Sequence, residues 1–259
     1  ILSNLPIELI SEKGDPVIAV ALWMLIWWIT EAVSISVTAL LPLLLFPLAK
    51  VLPIAEVGAN YGSPIIFLFF GGFVMALALE KVNLHKRIAL NIIRLTGTTP
   101  NRVVLGFMIA TGSLSMWISN TASTVVMLPI ALSVINLLIN DEDGFTKNDR
   151  NFALSVMLGI AFSANAGGIA TVIGTPPNSV LIGLLENEYN TEISFLRWMT
   201  IGLPFSIIMI GICYLVLVKW IYPNKDLQFN ASQEVIHTEL EKLGPTSGKE
   251  KLVLAIFGV

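Results

Sequence analysis

The sequence predicts an all-α, polytopic membrane protein. Of its 259 residues, 55% are hydrophobic and only 13% are charged, whereas an ordinary soluble domain carries about 25% charged residues. The mean hydropathy is +0.79, and long apolar blocks alternate with short polar loops. A net charge of -3 without a dense basic cluster gives no support for nucleic-acid binding. The single cysteine, Cys213, excludes a disulfide framework and a thiolate zinc site.

The first three apolar blocks are predicted to be membrane spans. Residues 16–30 and 33–48 are joined by a tight turn at Glu31, and each is shorter than the roughly 20 residues of a comfortable span. We expect a loop over residues 49–62 and a third span over residues 63–80.

Residues 81–96 have the pattern of an amphipathic helix that lies along the membrane surface. Cations are mixed with apolar residues at helical spacing, namely Lys81, Lys86, Arg87 and Arg94 with Leu84, Ile88, Ile92 and Leu95. His85 lies among these cations, so we expect a surface histidine and not a catalytic one.

The stretch from Gly112 to Pro129 concentrates hydroxyl and amide side chains within a long apolar run. Apolar arms over residues 103–117 and 122–139 flank Ser119-Asn120-Thr121. As one helix the run would be about 55 Å long, nearly twice the hydrocarbon thickness, and as two helices each arm falls short of about 20 residues. These lengths predict a re-entrant hairpin whose tip lies inside the protein.

Residues 152–185 are predicted to form a broken helix. The apolar pattern is interrupted at residues 163–168 and again at residues 174–178, where two successive prolines occur. Proline lacks an amide donor and disfavours helical geometry in the preceding residue. We therefore expect the second half to begin near Pro177, with the amide groups of its first turn free.

A span at residues 198–218 follows, and the charged segment after it contains a predicted surface helix over residues 232–243. In this scheme twelve of the 15 Lys and Arg residues lie in loops on one side of the membrane. The positive-inside rule makes that side cytoplasmic, so the hairpin is expected to enter from the cytoplasm.

The two interruptions have the chemistry of a site for sodium and an anion. Side-chain or carbonyl oxygens of Ser115, Ser119 and Asn120, with backbone oxygens of Gly174 and Thr175, suit a hard monovalent cation. The two apolar units contain no ionisable residue, so a side-chain proton relay has no candidate there. An anion would be bound by helix N-termini, hydroxyls and an amide instead of an arginine.

Four motifs together resemble the divalent anion/sodium symporter family of dicarboxylate and citrate transporters. They are Ser-Met-Trp-Ile-Ser119-Asn120-Thr121-Ala, Asn83-Leu-His-Lys-Arg87, Trp28-Ile-Thr-Glu31 and Gly174-Thr-Pro-Pro-Asn178. The resemblance runs along essentially the whole chain. It implies an inverted-repeat, elevator-type transporter that works as a homodimer in the inner (plasma) membrane, with Na⁺ as coupling ion and no organic cofactor.

The resemblance also implies a domain organisation. Residues 1–97 would be the first half of a scaffold domain, residues 98–221 the first half of a transport domain, and residues 222–259 a cytoplasmic connection and the start of a second repeat. Because both ends look internal, we expect the N-terminal half of a longer protein, with a second Ser-Asn-Thr tip and a second sodium site after Val259.

Site residues follow from the matched positions and from the expected helix start. The first sodium ion is assigned to Ser115, Ser119, Asn120 and Gly174. The substrate carboxylate is assigned to Asn120 and Thr121, and to Pro177 and Asn178 at the start of the second half of the broken helix.

The leading interpretation is sodium-coupled uptake of C4-dicarboxylates such as succinate, malate and fumarate. The alternatives are sodium-independent exchange of dicarboxylates or 2-oxoglutarate and, from a different class, a passive anion channel. An intramembrane hydrolase with Ser115 or Ser119 as nucleophile needs a general base, and neither His85 nor His237 lies in the apolar core. We therefore do not expect an enzyme.

Overall fold

The computed structural model describes residues 14–97, 99–139, 146–223 and 232–257, and the regular structure of these residues is entirely helical. They belong to two compact units, Ile1–Phe67 and Leu68–Val259, and each is described by itself.

The first unit contains four helices: α1 (Gly14–Thr30), α2 (Ile35–Ala39), α3 (Leu41–Leu48) and α4 (Ile54–Tyr61). The predicted second span over residues 33–48 is therefore two short helices with a break at Leu40. Pro42 explains this break, because it lies in the first turn of α3 and cannot donate a backbone hydrogen bond to the preceding helix.

Helix α4 lies where the sequence indicated a loop over residues 49–62, so that prediction was wrong. The helix begins after Pro53 and ends at Tyr61, before Gly62. Its amphipathic pattern buries Val57, and the Tyr61 hydroxyl donates a hydrogen bond to the Ala39 carbonyl oxygen at 2.6 Å. Two glycines and a short length obscured the helix in the sequence, but packing against α3 stabilises it.

Helix α5 (Pro64–Lys81) begins at the end of the first unit. The second unit continues with α6 (Leu84–Thr96), α7 (Pro100–Ser115), α8 (Asn120–Ile139), α9 (Lys147–Gly168), α10 (Pro176–Tyr189), α11 (Phe195–Leu215), a π-helical turn (Val216–Ile221), α12 (Ser232–Lys242) and α13 (Gly248–Phe257). The predicted third span, the last span and both surface segments are thus helical.

Two helical stretches of the described chain, Ile54–Lys81 and Phe195–Ile221, are long and apolar enough to cross a membrane. Their large apolar side chains are mainly exposed, for example Leu77 at 63% and Ile201 at 74%. In water such surfaces would be unfavourable, whereas lipid is their natural solvent.

The core of the second unit is built around α7, which packs against α6, α8, α9 and α11. Phe107 and Met108 are fully buried in this core. Helix α9 approaches α7 closely at Gly167, where an added Cβ would lie 2.6 Å from the Cα of Gly112. Small residues at such crossings let two backbones touch. The end of α9 is thereby fixed beside the last turn of α7.

Helix α6 is amphipathic, as the sequence indicated, with Leu90 and Ile93 buried and Lys86 exposed. The prediction for His85 was wrong, because its ring is buried and its Nδ1 lies 3.1 Å from the Leu79 carbonyl oxygen. A carbonyl oxygen only accepts, so Nδ1 carries the proton. Burial lowers the pKa of His85, since it penalises the charged imidazolium.

A partly buried ion pair joins α6 to α13. The guanidinium of Arg87 donates to both carboxylate oxygens of Glu250, at 3.1 and 3.2 Å. It also donates to the carbonyl oxygens of Gly244 and Leu243, at 2.9 and 3.1 Å. The planar guanidinium provides the number and direction of donors that this arrangement needs. The segment before α13 is thereby held against α6.

Candidate functional site

The polar tip predicted at Ser119-Asn120-Thr121 lies at a helix interruption. Helix α7 ends at Ser115 and α8 begins at Asn120. The arms have 16 and 20 residues, or about 24 and 30 Å. The expectation that both arms fall short of a full span therefore holds for α7 and was wrong for α8, which begins at Asn120 within the tip. The Ser119 hydroxyl accepts a hydrogen bond from the Ala122 amide at 3.2 Å, so it caps the first turn of α8.

Some of the hydroxyls near the tip are satisfied within their own helix. Ser123 donates to the Ser119 carbonyl oxygen at 3.1 Å, and Thr124 donates to the Asn120 carbonyl oxygen at 2.8 Å. Such bonds are common for Ser and Thr in apolar helices. The O–H donors of these two side chains are therefore used within α8 and support the tip.

The second interruption is a break between α9, which ends at Gly168, and α10, which begins at Pro176. The broken helix is thus present, and its second half starts one residue before the expected Pro177. The interruption predicted over residues 163–168 is not observed, because α9 continues through Gly168. Close packing of Gly167 on α7 outweighs the low helix propensity of glycine there.

The tip and the break are joined by Thr171, which is fully buried. Its hydroxyl donates to the Met116 carbonyl oxygen at 2.5 Å and accepts a hydrogen bond from the Gly174 amide at 3.1 Å. One hydroxyl thus binds the last turn of α7 to the irregular segment between α9 and α10. The Trp198 indole of α11 holds the same segment through the Ile169 carbonyl oxygen at 2.9 Å.

Asn178 spans the break. Its side-chain nitrogen donates to the carbonyl oxygens of Gly168 and Thr171, at 2.9 and 2.8 Å, and the residue is buried. Carbonyls at a helix C-terminus have no partner within their own helix, and Asn178 satisfies them. Both of its N–H groups are committed to the backbone, which leaves neither of them for the substrate contact that the sequence suggested.

Asn120 lies where the two interruptions meet. Its Oδ1 accepts a hydrogen bond from the Ser115 hydroxyl at 2.6 Å, and Ser115 is fully buried. A Cβ added to Gly168 would lie 2.5 Å from the Asn120 Oδ1 and 3.2 Å from the Gly174 carbonyl oxygen. The absence of a side chain at Gly168 therefore allows these two oxygens to approach the same point.

The predicted site residues fall into two groups. Ser115, Asn120 and Gly174 are brought together around Gly168. Ser119 and Thr121 are exposed on the tip, and Pro177 is exposed in the first turn of α10. These three lie on the open side of the tip and the break, with the Ser119 carbonyl oxygen already bonded to the Ser123 amide at 2.9 Å.

Sequence reasoning missed two residues at this site. Thr171 carries the contact between tip and break, and Asn165 contacts Asn120 from the last turns of α9, with 3.0 Å between the Asn120 Nδ2 and the Asn165 Oδ1. The sequence feature that could have indicated both residues is their polarity within an apolar segment, because a polar group at membrane depth needs a hydrogen-bond partner.

The electrostatics of the site come from helix ends. Helices α7 and α9 end at the site, and α8 and α10 begin there. Helix C-termini carry partial negative charge and N-termini partial positive charge. No group of three His, Cys, Asp or Glu residues able to hold a metal ion occurs in the described part of the chain. The polar groups that the described residues bring together here are therefore neutral side chains, backbone groups and helix ends.

Comparison with known proteins identifies relatives of this chain. The citrate transporter family matches residues 25–259. The sodium-dependent dicarboxylate transporter SdcS of Staphylococcus saprophyticus is 43% identical over 251 residues, which are 96% of this chain and 48% of that protein. The same transporter of Staphylococcus aureus strain USA300 is 42% identical over 248 residues, 95% of this chain and 48% of its own length.

The chain thus spans about half the length of these relatives. The match covers most of the chain, including the tip, the break and the helices around them. A match to a transporter family implies an integral membrane protein, which accounts for the apolar composition and the exposed apolar helices. The chain belongs to the citrate transporter family, which confirms the resemblance to the divalent anion/sodium symporters that its motifs indicated.

Proposed function

We propose that this chain contributes to sodium-coupled uptake of C4-dicarboxylates such as succinate, malate and fumarate. The carrying observation is that two helix interruptions meet at Asn120, Gly168 and Gly174 without any ionisable side chain among the residues of the tip and the break. The names of the two SdcS relatives, sodium-dependent dicarboxylate transporters, support the same ion and the same class of substrate.

Sodium would bind on the buried side of this point. Asn120 Oδ1 and the Gly174 carbonyl oxygen both lie within 3.2 Å of the point that a Cβ on Gly168 would occupy, and the Ser115 hydroxyl is 2.6 Å from the same Oδ1. Ser119, the fourth residue assigned to the ion, is exposed on the tip and would supply its hydroxyl oxygen from the open side of the site. Neutral oxygens of this kind replace the hydration shell of an alkali cation.

The substrate carboxylate would bind on the exposed side. The donors available to it are the Asn120 amide nitrogen and the Thr121 hydroxyl. The first turn of α10 around Pro177 contributes the positive end of its helix but, contrary to expectation, no free amide from its first three residues, because two are prolines and the Asn178 amide donates to the Thr175 carbonyl oxygen at 3.1 Å. We assign Asn178 a supporting position beside this turn, because both of its N–H groups bind backbone oxygens.

The transport cycle is proposed to be an elevator movement within a homodimer in the plasma membrane. In this proposal residues 1–97 form part of the scaffold, residues 98–221 form part of the moving domain, and residues 222–259 lead into a second repeat. Helices α7 and α8 form a re-entrant hairpin that enters from the cytoplasm. Two observations support this topology. The tip contacts α9 and the break through Asn165 and Thr171, and α7, with 16 residues, is shorter than the about 20 residues of a full span.

Counterflow in proteoliposomes tests the proposal. The full-length protein containing this chain is reconstituted with unlabelled succinate inside, and entry of labelled succinate is followed with sodium or choline outside and inside. We expect exchange that depends on sodium and saturates with succinate. Equal exchange in sodium-free buffer would reject symport and favour the sodium-independent exchanger.

A passive anion channel makes a different prediction in the same liposomes. A channel lets succinate run down its gradient, whereas a symporter accumulates succinate against its gradient at the expense of the sodium gradient. Accumulation that is lost in Asn120→Ala would exclude the channel, and conductance that does not saturate would support it.

A further inference from the structure

The side chain of Asn165 makes two hydrogen bonds, one to the tip and one within its own helix. It lies on an exposed turn of α9, one turn before the helix ends at Gly168. Its Oδ1 accepts a hydrogen bond from the Asn120 Nδ2 at 3.0 Å, and its own Nδ2 donates to the Ala161 carbonyl oxygen at 3.2 Å. The first bond crosses from α9 to the tip, and the second lies within α9.

The orientation of the Asn120 amide matters because its two ends have opposite character. The oxygen accepts hydrogen bonds and binds cations, whereas the nitrogen only donates and binds anions. If the amide turned over, the site would present a nitrogen to a cation and an oxygen to a carboxylate.

Ser115 alone does not decide between these orientations. Its hydroxyl lies 2.6 Å from the Asn120 Oδ1, but a hydroxyl both donates and accepts. It would therefore find a partner in either end of the amide. A group of fixed polarity is needed on the other side of Asn120.

Asn165 supplies that polarity. The Ala161 carbonyl oxygen can only accept, so it fixes the Asn165 amide with its nitrogen toward α9 and its oxygen toward Asn120. The Asn165 oxygen then holds the Asn120 nitrogen and turns the Asn120 oxygen toward Ser115 and Gly168. The Ala161 carbonyl oxygen thus sets the orientation of the Asn165 amide, and the Asn165 amide sets the orientation of the Asn120 amide.

We propose that Asn165 is the positioning residue that orients the Asn120 amide, so that its oxygen faces the sodium ion and its nitrogen faces the substrate carboxylate. This inference rests on the proposed function. It assigns Asn165 a role in binding both ligands through Asn120, and the exposed position of Asn165 lets it be changed without disturbing the core.

Three variants of the full-length protein separate this role from a merely structural one. Asn165→Ala removes the acceptor that orients Asn120. Asn165→Asp keeps an acceptor for Asn120 and adds a negative charge beside the proposed position of the substrate carboxylate. It also loses the donor to the Ala161 carbonyl oxygen, which water can replace at this exposed position. Asn136→Ala is the matched control, because Asn136 is an exposed asparagine in the same unit, about 24 Å along α8 from the tip.

Sodium binding without substrate is read from the shift of the thermal unfolding midpoint in detergent as sodium chloride replaces choline chloride. We expect Asn165→Ala to raise the half-effective sodium concentration about five- to tenfold, because this is the effect expected from the loss of one hydrogen bond. We expect Asn165→Asp to bind sodium at least as well as the wild type but to show a raised succinate KM in sodium-driven uptake. Asn136→Ala should match the wild type in both measurements.

Two results would overturn the inference while leaving the sodium site intact. One is a normal sodium response in Asn165→Ala, and the other is a loss in Asn165→Asp as large as in Asn165→Ala, because an acceptor would then not be what matters. A wild-type protein that shows no sodium response in either the stability or the uptake assay would reject the proposed function itself, and with it this role of Asn165.

Discussion

The hydroxyl of Thr171 donates a hydrogen bond to the carbonyl oxygen of Met116 at 2.5 Å. This contact joins two irregular segments that are 55 residues apart in the chain. Since the same hydroxyl accepts from the Gly174 amide, one side chain sets how far the tip lies from the break. Any ion bound between Asn120 and Gly174 depends on this distance.

Removal of the Thr171 hydroxyl should therefore loosen the candidate site. Thr171→Val keeps the shape but leaves the Met116 carbonyl oxygen and the Gly174 amide without this partner, at a cost of about 1 to 3 kcal/mol. We expect a lower thermal unfolding midpoint and a higher half-effective sodium concentration. Thr171→Ser retains the hydroxyl and should restore most of the sodium response. Equal behaviour of the Val and Ser variants would show that the hydroxyl has no such role.

Asn178 is predicted to stabilise the break without contacting the substrate. Asn178→Asp replaces both donors by a carboxylate that faces the Gly168 and Thr171 carbonyl oxygens. Loss of two buried hydrogen bonds and repulsion among the oxygens should cost at least about 2 kcal/mol. The free energy of unfolding in sodium-free detergent measures this directly. If the variant were as stable as the wild type and only the succinate KM changed, the result would contradict this prediction and indicate that Asn178 contacts the substrate.

Close contact between α7 and α9 should make Gly167 intolerant of a side chain. An added Cβ would lie 2.6 Å from the Gly112 Cα, so Gly167→Ala must push the two helices apart, at a cost of about 1 to 3 kcal/mol. Gly211→Ala in α11 is the control, because its Cβ would meet nothing within 4 Å. That change should be neutral or stabilising by up to about 1 kcal/mol. The measurement is the thermal unfolding midpoint of each variant. Similar midpoints for Gly167→Ala and Gly211→Ala would contradict this close packing of α7 against α9.

His85 gives stability a dependence on pH. Its pKa in the folded protein is lowered by burial, so the folded state binds the proton less readily than the unfolded state does. The contribution is fully present above the ordinary histidine pKa of about 6.5 and is lost as pH falls from there toward the lower folded pKa. We expect the unfolding midpoint to fall between pH 7.5 and pH 5.5 by more in the wild type than in His85→Gln. Parallel curves would contradict this assignment.

The sequence predicted those parts of the site that depend on local backbone chemistry. Two successive prolines cannot continue a helix, and α10 begins at Pro176. Ser119 is a good helix cap, and α8 begins at the next residue. The positions of the tip and the break could therefore be predicted from the sequence alone.

Long-range contacts account for what sequence reasoning missed. His85 lies among cations in sequence but packs against the end of α5, where its Nδ1–H donates a hydrogen bond to the Leu79 carbonyl oxygen. Thr171 and Asn165 look like ordinary polar residues of an apolar segment until folding brings α9 beside the tip. Only the folded chain shows that both N–H groups of the Asn178 side chain donate to backbone carbonyl oxygens at the break.

The most direct measurement of the central claim is accumulation of labelled succinate by proteoliposomes that contain the full-length protein and an inward sodium gradient. The account predicts that succinate rises above its external concentration, that it leaks back when the sodium gradient is collapsed by an ionophore, and that Asn120→Ala abolishes accumulation. Accumulation that is unchanged when choline replaces sodium, or that survives in Asn120→Ala, would contradict it.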